Sequence, residues 1–221
     1  MFNRGKLRND KGFTLVELAI VLVIIGIILG GIIKGQELIT NAKIKRAYNA
    51  QKEVAAAIYT YYDRYKVYPG DDPQGNARWT NPAITLQGNE GNGLIAAAAA
   101  STAANFACTA TGTEVCNIWS ELRQAGILTG SGFTNPSHPY GGAISVSYYS
   151  MPSLGGSNAE LAHWIQLQNM PYDVCQLLDE QYDDGKPGTA GTATGAGTGS
   201  VRGTTDYMNA TTGSFQIGFK L

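Results

Sequence analysis

Glu17 is the residue whose position most requires a chemical explanation. It is the fifth residue of an apolar run within "KGFTLVELAIVLVIIGIILGGI", residues 11–32, and no other charged residue occurs between Lys11 and Lys34. A carboxylate at the centre of a membrane helix costs on the order of 2.5–3.5 kcal/mol on insertion scales. A carboxylate at such a depth therefore needs a cation or a proton as its partner.

Two of the three cysteines are close enough in sequence to form a loop-closing disulfide. Cys108 and Cys116 begin and end "CTATGTEVC", and Gly112 between them favours a turn. We predict a disulfide between them, which implies an oxidising compartment; the alternative is that all three thiols are reduced and buried. Cys175, in the predicted helix "PYDVCQLLDEQY", is expected to be a small core residue.

Carboxylates cluster at two turns. Asp71 and Asp72 form one pair, and "LLDEQYDDGKPGT" contains Asp179, Asp183 and Asp184. Calcium prefers several carboxylate and carbonyl oxygens in a bent loop. Asp179, Asp183 and Asp184 are therefore candidate calcium ligands, and the sequence indicates no other cofactor. Their spacing is not that of an EF-hand, and the alternative is that these side chains shape turns.

The sequence contains no recognisable catalytic motif. It has only two histidines, His138 and His163, and lacks HExxH, GxSxG and P-loop patterns. We therefore expect no enzymatic activity. The 16 basic and 17 acidic residues give a net charge of −1, which excludes the strongly basic surface of a general nucleic-acid-binding protein.

The element that positions Glu17 is predicted to be a long helix. The run from Phe13 is long enough to cross about 30 Å of hydrocarbon, and "YPGDDP" should end the helix. Between these points apolar residues recur at helical spacing, namely Ala47, Ala50, Val54, Ala57, Ile58, Tyr61 and Tyr65. We predict a helix over 13–66, with 13–33 in the membrane. The alternative, a secretory signal peptide, requires a small-residue cleavage site after the run, and none follows.

The segment "GFTLVEL", preceded by basic residues and followed by an apolar helix, resembles the N-terminal signal of type IV pilins and pseudopilins. The resemblance implies that prepilin peptidase cuts between Gly12 and Phe13, removes the basic leader 1–12, and that Phe13 is then N-methylated. It also implies an assembly role for Glu17. The new α-amino group of Phe13, four residues before Glu17, would supply the missing cation, either within one chain or from a neighbouring subunit.

Residues 67–221 are predicted to form a globular head. Helices are expected at 96–104 and in "TEVCNIWSELRQAGIL" and "PYDVCQLLDEQY", and 186–200 is expected to be a flexible Gly/Thr/Ala loop. Strands are expected in "GAISVSYYS", "LAHWIQLQ", "SVRGTT" and "SFQIGFKL". The predicted fold class is α+β and pilin-like: a long N-terminal helix, apolar in its first half, packed on a small antiparallel sheet with an α-rich insertion.

The resemblance implies a structural subunit of a type IV pilus or a related filament. Its expected partners are identical or related pilin subunits, prepilin peptidase, an inner-membrane assembly platform and, before assembly, the membrane itself. The N-terminus would be cytoplasmic and the head periplasmic before the subunit enters an extracellular or periplasmic filament. Two alternatives remain: a pseudopilin of a type II secretion system, and a membrane-anchored adhesive or binding protein at a filament tip.

Overall fold

A computed structural model describes residues 12–88, 90–96, 102–151, 160–183, 199–203 and 213–221. Residues 1–11 of the predicted leader, Asp184 and residues 186–198 of the predicted flexible loop lie outside this part of the chain. The protein divides into two compact units, one ending at Ala42 and the other comprising Lys43–Leu221.

Helix α1, Leu15–Tyr65, agrees closely with the helix predicted over 13–66. In the first unit, all described residues except the half-buried Gly35 are exposed. The exposed side chains include Leu15, Ile27 and Ile33 at 86%, 71% and 68% of their accessible area. An all-round apolar helix is characteristic of a membrane span, where the helix satisfies its own backbone hydrogen bonds.

The part of α1 in the second unit is amphipathic. Its buried residues are separated mostly by three or four positions and are Ile44, Ala47, Gln51, Val54, Ala57, Ile58 and Tyr61. Burial of each large aliphatic side chain contributes about 1.5–3 kcal/mol. Its apolar members belong to the same hydrophobic core as the inward-facing residues of the sheet, so this part of the helix forms one wall of the head.

Four antiparallel strands form the sheet, one in each predicted strand segment. They are β1 (Ile144–Met151), β2 (Glu160–Pro171), β3 (Val201–Gly203) and β4 (Ser214–Lys220), in the spatial order β1-β2-β4-β3. Ile165 of β2 lies opposite both Val146 of β1 and Phe219 of β4. All three side chains are buried in the core that contains α1.

The opposite face of the sheet is buried as well, and several of its side chains are polar. Ser145, Ser147 and Gln166 all have 0% exposure. Gln166 Nε2 donates to Ser147 Oγ at 3.0 Å, and the Asn105 N–H donates to Ser145 Oγ at 3.1 Å. Hydrogen bonds of this kind make buried hydroxyl and amide groups tolerable.

The remaining helices are α2 (Gly75–Arg78), α3 (Glu114–Gln124) and α4 (Tyr172–Tyr182). The last two lie within predicted helical segments. The helix predicted at 96–104 is wrong for residue 96 and residues 102–104, which are not helical, while 97–101 lie outside the described residues. The Thr102 N–H donates to the Tyr148 carbonyl oxygen at 2.9 Å, so this segment uses its backbone to pair with β1.

A disulfide connects Cys108 to Cys116, with Cα atoms 5.3 Å apart, which is the pairing that the sequence predicts. Because Cys116 lies in the first turn of α3, the bridge fixes the segment before the helix to the helix itself. Thr113 occupies the N-cap position of α3, but its hydroxyl makes no capping hydrogen bond.

Helix α3 is buried on two faces. Its apolar side chains Ile118, Trp119 and Leu122 have 0% exposure, and so do its polar residues Glu114, Asn117, Ser120 and Glu121. The polar face contacts residues 70–96, here called the docking loop, of which all but residue 89 are described. Contacts along the helix include Asn117 Nδ2 to the Thr85 carbonyl and Gln124 Nε2 to the Pro82 carbonyl, both at 2.9 Å. The helix thus satisfies the backbone of a loop that has little secondary structure of its own.

Candidate functional site

Helix α1 begins with a reciprocal capping box formed by Thr14 and Glu17. The Leu18 N–H donates to the Thr14 carbonyl at 3.3 Å, which makes Thr14 the N-cap residue. The Glu17 N–H donates to Thr14 Oγ1 at 3.2 Å, and the Thr14 N–H donates to Glu17 Oε2 at 2.8 Å. The sequence "TLVE" therefore satisfies two backbone donors that a helix start otherwise leaves open.

The capping box directs the Glu17 carboxylate toward the start of the helix. The Thr14 hydroxyl donates to the same Oε2 atom at 2.8 Å, so one carboxylate oxygen accepts two hydrogen bonds from a single residue. The partial positive charge at a helix N-terminus also favours an anion there. The carboxylate is thus held beside the residue that follows Phe13.

The residues on both sides of the predicted cleavage site are exposed within the described part of the chain. Phe13 is 83% exposed, and no heavy atom lies within 4 Å of the position that a Cβ of Gly12 would occupy. Nothing in the described part of the chain covers this peptide bond. Cleavage after Gly12 and methylation of Phe13 stay predictions.

Within the described residues, α1 is the one helix long and apolar enough to cross a membrane. Its most apolar window of 18 residues has a mean hydropathy of 2.9, and none of that window is buried. In the sequence from Gly12 to Ile33, Glu17 is the single charged side chain. The arrangement is therefore an exposed apolar helix with one carboxylate held at its N-terminus.

The predicted calcium ligands are not assembled into a metal site in the described part of the chain. Asp179 is buried in α4, and Asp183 directly follows that helix. Asp183 accepts hydrogen bonds from the Val201 N–H at 2.8 Å and the Ser200 hydroxyl at 3.4 Å. No described group of three or more His, Cys, Asp or Glu side chains is placed to hold a metal ion. Calcium binding stays a prediction, and the Asp183 contacts fit the turn-shaping alternative.

Both histidines join segments of the head. His163 Nε2 accepts a hydrogen bond from the Ile95 N–H at 3.1 Å, and its ring lies within about 5 Å of the Tyr68 and Tyr148 rings, at 4.9 and 5.2 Å between centroids. Burial lowers the pKa of His163 to about 4. His138 Nε2 lies 2.7 Å from the Gln168 carbonyl oxygen, and burial lowers its pKa as well.

Cys175 is fully buried in α4, as expected for a core residue. Burial raises the pKa of its thiol to about 12. At neutral pH the side chain is therefore a thiol rather than the reactive thiolate.

Sequence reasoning noted the pair Asp71 and Asp72 but missed the two glutamates that are buried with it. Asp71, Asp72, Glu114 and Glu121, here called the carboxyl cluster, are each at most 1% exposed. Asp72 pairs with Arg78, whereas Glu114 and Glu121 each accept a loop N–H at 2.7 Å. Burial raises the pKa of both glutamates to about 8. The signal available in the sequence was the seven-residue separation of Glu114 and Glu121, which places both on the same face of α3.

Comparison with known proteins agrees with the geometry at the start of α1. Residues 7–33 match the family model described as the prokaryotic N-terminal methylation motif. The chain is also similar to the fimbrial protein EcpC of Eikenella corrodens, with 31% identity over 91 residues. That match covers 41% of this chain and 56% of the fimbrial protein, so the chain spans about half the length of this curated relative.

No solved structure matches the chain. The architecture described above, a long apolar N-terminal helix with a four-stranded antiparallel sheet, is nevertheless α+β and pilin-like. The chain therefore carries a prokaryotic N-terminal methylation motif at its first helix, is similar in sequence to a fimbrial protein, and has a pilin-like architecture.

Proposed function

We propose that this protein is a structural subunit of a type IV pilus or related pilin-like filament. The observation that carries the proposal is the exposed apolar start of α1, with its single carboxylate at Glu17, inside the methylation motif at 7–33. Before assembly this helix anchors the subunit in the inner membrane. During assembly it leaves lipid and packs among the equivalent helices of other subunits.

Processing supplies the partner that Glu17 lacks. Prepilin peptidase cuts between Gly12 and Phe13 and leaves a charged amine on Phe13, which is then methylated without loss of its basic character. The capping box supports this proposal because it already holds the Glu17 carboxylate at the Thr14 N–H, one residue from that amine. In a low-dielectric environment such a pairing is far stronger than in water.

The two possible pairings of Glu17 act at different stages. Within one chain, the Phe13 amine neutralises Glu17 while the subunit waits in the membrane. Between chains, the amine of an incoming subunit meets the carboxylate of a subunit already assembled and sets their relative register. A misplaced neighbour would leave an unpaired buried charge, which is strongly unfavourable.

The proposal places the head in the periplasm before assembly and in the filament afterwards. Its direct partners are copies of this chain or related pilins, the peptidase and an inner-membrane assembly platform. Filaments on the cell surface would identify a pilus subunit. Filaments confined to the periplasm would identify a secretion pseudopilin.

Mass spectrometry of the mature N-terminus tests processing. The expected product begins at Phe13 and carries one additional methyl group. An intact Met1, or a new terminus after the apolar run, would contradict the proposal.

A pair of glutamate variants tests assembly. Glu17→Ala should abolish filaments seen by electron microscopy while leaving the subunit in the membrane fraction. Glu37→Ala is the matched control, since Glu37 is also an exposed glutamate of α1, and its carboxylate pairs with Lys34 at 2.7 Å. Equal filament yields from the two variants would refute a role for Glu17 in assembly.

A further inference from the structure

Two glutamates of α3 hold the two ends of the docking loop. Glu121 Oε2 accepts the Gly70 N–H at 2.7 Å, and Glu114 Oε2 accepts the Ala96 N–H at 2.7 Å. Because both residues lie on the same face of the helix and have 0% exposure, neither contact is shared with solvent. A single helix face therefore closes the loop at both ends.

The second oxygen of each glutamate lacks a partner. Glu114 Oε1 and Glu121 Oε1 are buried and make no hydrogen bond to any described residue. The Tyr61 hydroxyl of α1 lies near Glu121, but it donates its one proton to Asp72 Oδ2 at 2.8 Å. Each glutamate is thus left with a single hydrogen bond, which is too little to support a buried negative charge.

The charged groups around the two glutamates make ionisation still less favourable. Asp71 and Glu90 act on Glu114, and Asp71 and Asp72 act on Glu121, so all of these neighbours are acidic. Arg78 is a cation of this region, and among the described residues it pairs with Asp72 rather than with either glutamate. A proton on each glutamate removes the free-energy cost of burying its negative charge, a cost that Arg78 does not offset.

We propose that Glu114 and Glu121 form a proton-dependent lock, which holds the docking loop on α3 while both are protonated and releases its ends at mildly alkaline pH. Burial raises the pKa of both carboxyls to about 8, from an ordinary value near 4.5. The folded head therefore retains two protons at neutral pH that the unfolded chain has lost. The stabilisation is complete below about pH 4.5 and is lost as the pH rises through about 8.

An adjacent contact has the opposite pH dependence. The Ile95 N–H, next to Ala96, donates to neutral His163 Nε2. Protonation of His163 removes that acceptor, and its pKa of about 4 places this loss in acid. The C-terminal end of the docking loop is thus held from about pH 4 to about pH 8 by two groups that fail at opposite limits.

Hydrogen exchange of the full chain in detergent micelles tests the lock. Protection factors, corrected for the intrinsic pH dependence of exchange, are measured for the Gly70 and Ala96 amides from pH 6 to 9.5. We expect wild-type protection to fall by about tenfold per pH unit from pH 6 to about pH 8, where the closed head still holds a proton that the opened one has lost, and to level off above pH 8. In the Glu114→Gln/Glu121→Gln variant it should stay constant, because glutamine keeps a carbonyl acceptor but does not ionise.

The control is Glu53→Gln, since Glu53 is an exposed glutamate of α1 in the same unit, without an ion pair or hydrogen bond among the described residues. It should behave as the wild type does. Constant wild-type protection up to pH 9.5, or an equal fall in the double glutamine variant, would overturn the proposal.

A second measurement does not depend on the folding of any variant. In wild-type protein labelled with ¹³C at glutamate carboxyls, two resonances, those of Glu114 and Glu121, should titrate near pH 8. If every glutamate carboxyl titrates below pH 6, the lock does not exist. Because the experiment concerns only the head, its outcome is independent of filament assembly.

Discussion

Carboxyls that lack a cationic partner among the described residues lie in two contrasting environments. Glu17 lies on an exposed apolar helix, whereas Glu114 and Glu121 lie fully buried in the head. All three accept at least one backbone N–H, and none has a lysine or arginine partner among the described residues. They differ in where the compensating charge comes from.

The difference shows two ways in which a protein can use a carboxyl in low-dielectric surroundings. In the head, a proton from water neutralises Glu114 and Glu121, so their contacts depend on pH and on nothing outside the folded unit. At Glu17 we propose a cation that forms only when the chain is cut. One arrangement stabilises a fold, and the other makes assembly conditional on processing.

The largest effect on head stability is expected from removing a buried carboxyl. Glu121→Ala should lower the free energy of unfolding by about 3 kcal/mol at pH 7. The Gly70 N–H loses its acceptor, which costs about 1–3 kcal/mol, and a cavity remains. Denaturant unfolding in detergent measures the change. Glu17→Ala should leave the midpoint unchanged, and equal destabilisation by both variants would remove the contrast.

The disulfide anchors α3 by a means that is independent of protonation. Reduction of the Cys108–Cys116 bond should lower the stability of the head by about 2–3 kcal/mol, because the unfolded chain regains the freedom of this loop. Thermal unfolding with and without a thiol reductant measures the loss at pH 6 and pH 9. A Cys108→Ser/Cys116→Ser variant should be insensitive to the reductant. A loss that changes with pH would show that the bridge and the lock are coupled.

Much of the architecture was predictable because local patterns encode it. Three- and four-residue spacing indicated α1, and alternation in "GAISVSYYS" indicated β1. The spacing of Cys108 and Cys116 predicted their disulfide. In each case the interacting residues are close in sequence, or share one periodic face.

The carboxyl cluster was not predictable because most of its contacts join residues far apart in sequence, and no periodic pattern of residue types marks them. Glu114, Asn117 and Glu121 resemble the solvent-facing side of an amphipathic helix, yet all have 0% exposure. Their partners are backbone groups of the docking loop, and any residue type can supply a backbone group. Similarly, Ser145 and Ser147 alternate with the core residues of β1, but the far side of that strand is also covered.

His163 provides a test of the acid limit of the docking loop. As the pH falls from 6.5 toward 4, the unfolded chain protonates this histidine before the folded head does, so the head loses about 2 kcal/mol of stability. His163→Gln cannot titrate but keeps an acceptor for the Ile95 N–H. The stability difference between wild type and variant, measured by denaturant unfolding, should therefore change over this range. A pH-independent difference would show that His163 is not responsible.

Calcium binding is predicted for a third acidic group, Asp179, Asp183 and Asp184, and not for the carboxyl cluster. If these residues bind the ion as predicted, calcium at ten times its Kd should stabilise the head by about 1.4 kcal/mol. The melting temperature should then rise with millimolar calcium and not with magnesium. An Asp183→Asn/Asp184→Asn variant should abolish the calcium effect. An unchanged wild-type melting temperature would leave the Asp183 hydrogen bonds to Ser200 and Val201 as the role of this turn.

The smallest expected effect concerns how firmly Glu17 is held. Thr14→Ala removes the hydroxyl that accepts the Glu17 N–H and donates to its carboxylate, but it leaves the Thr14 backbone N–H in place. Loss of an N-cap hydroxyl costs about 1 kcal/mol of helix stability. We therefore expect filament yield to fall by about fivefold, well short of the complete loss expected for Glu17→Ala. Thr14→Ser, which retains the hydroxyl, should assemble normally.

To measure this ranking, the amount of subunit in sheared filaments is compared with the amount that remains in the membrane. Wild-type yield from Thr14→Ala would mean that the backbone contact alone orients the carboxylate. Complete loss would mean that the hydroxyl itself takes part in assembly, since a weakened cap cannot account for it. An intermediate yield, with an unchanged melting temperature of the head, would place the effect in the first unit. It would also show that a helix cap can position a charge for a partner that arrives only after processing.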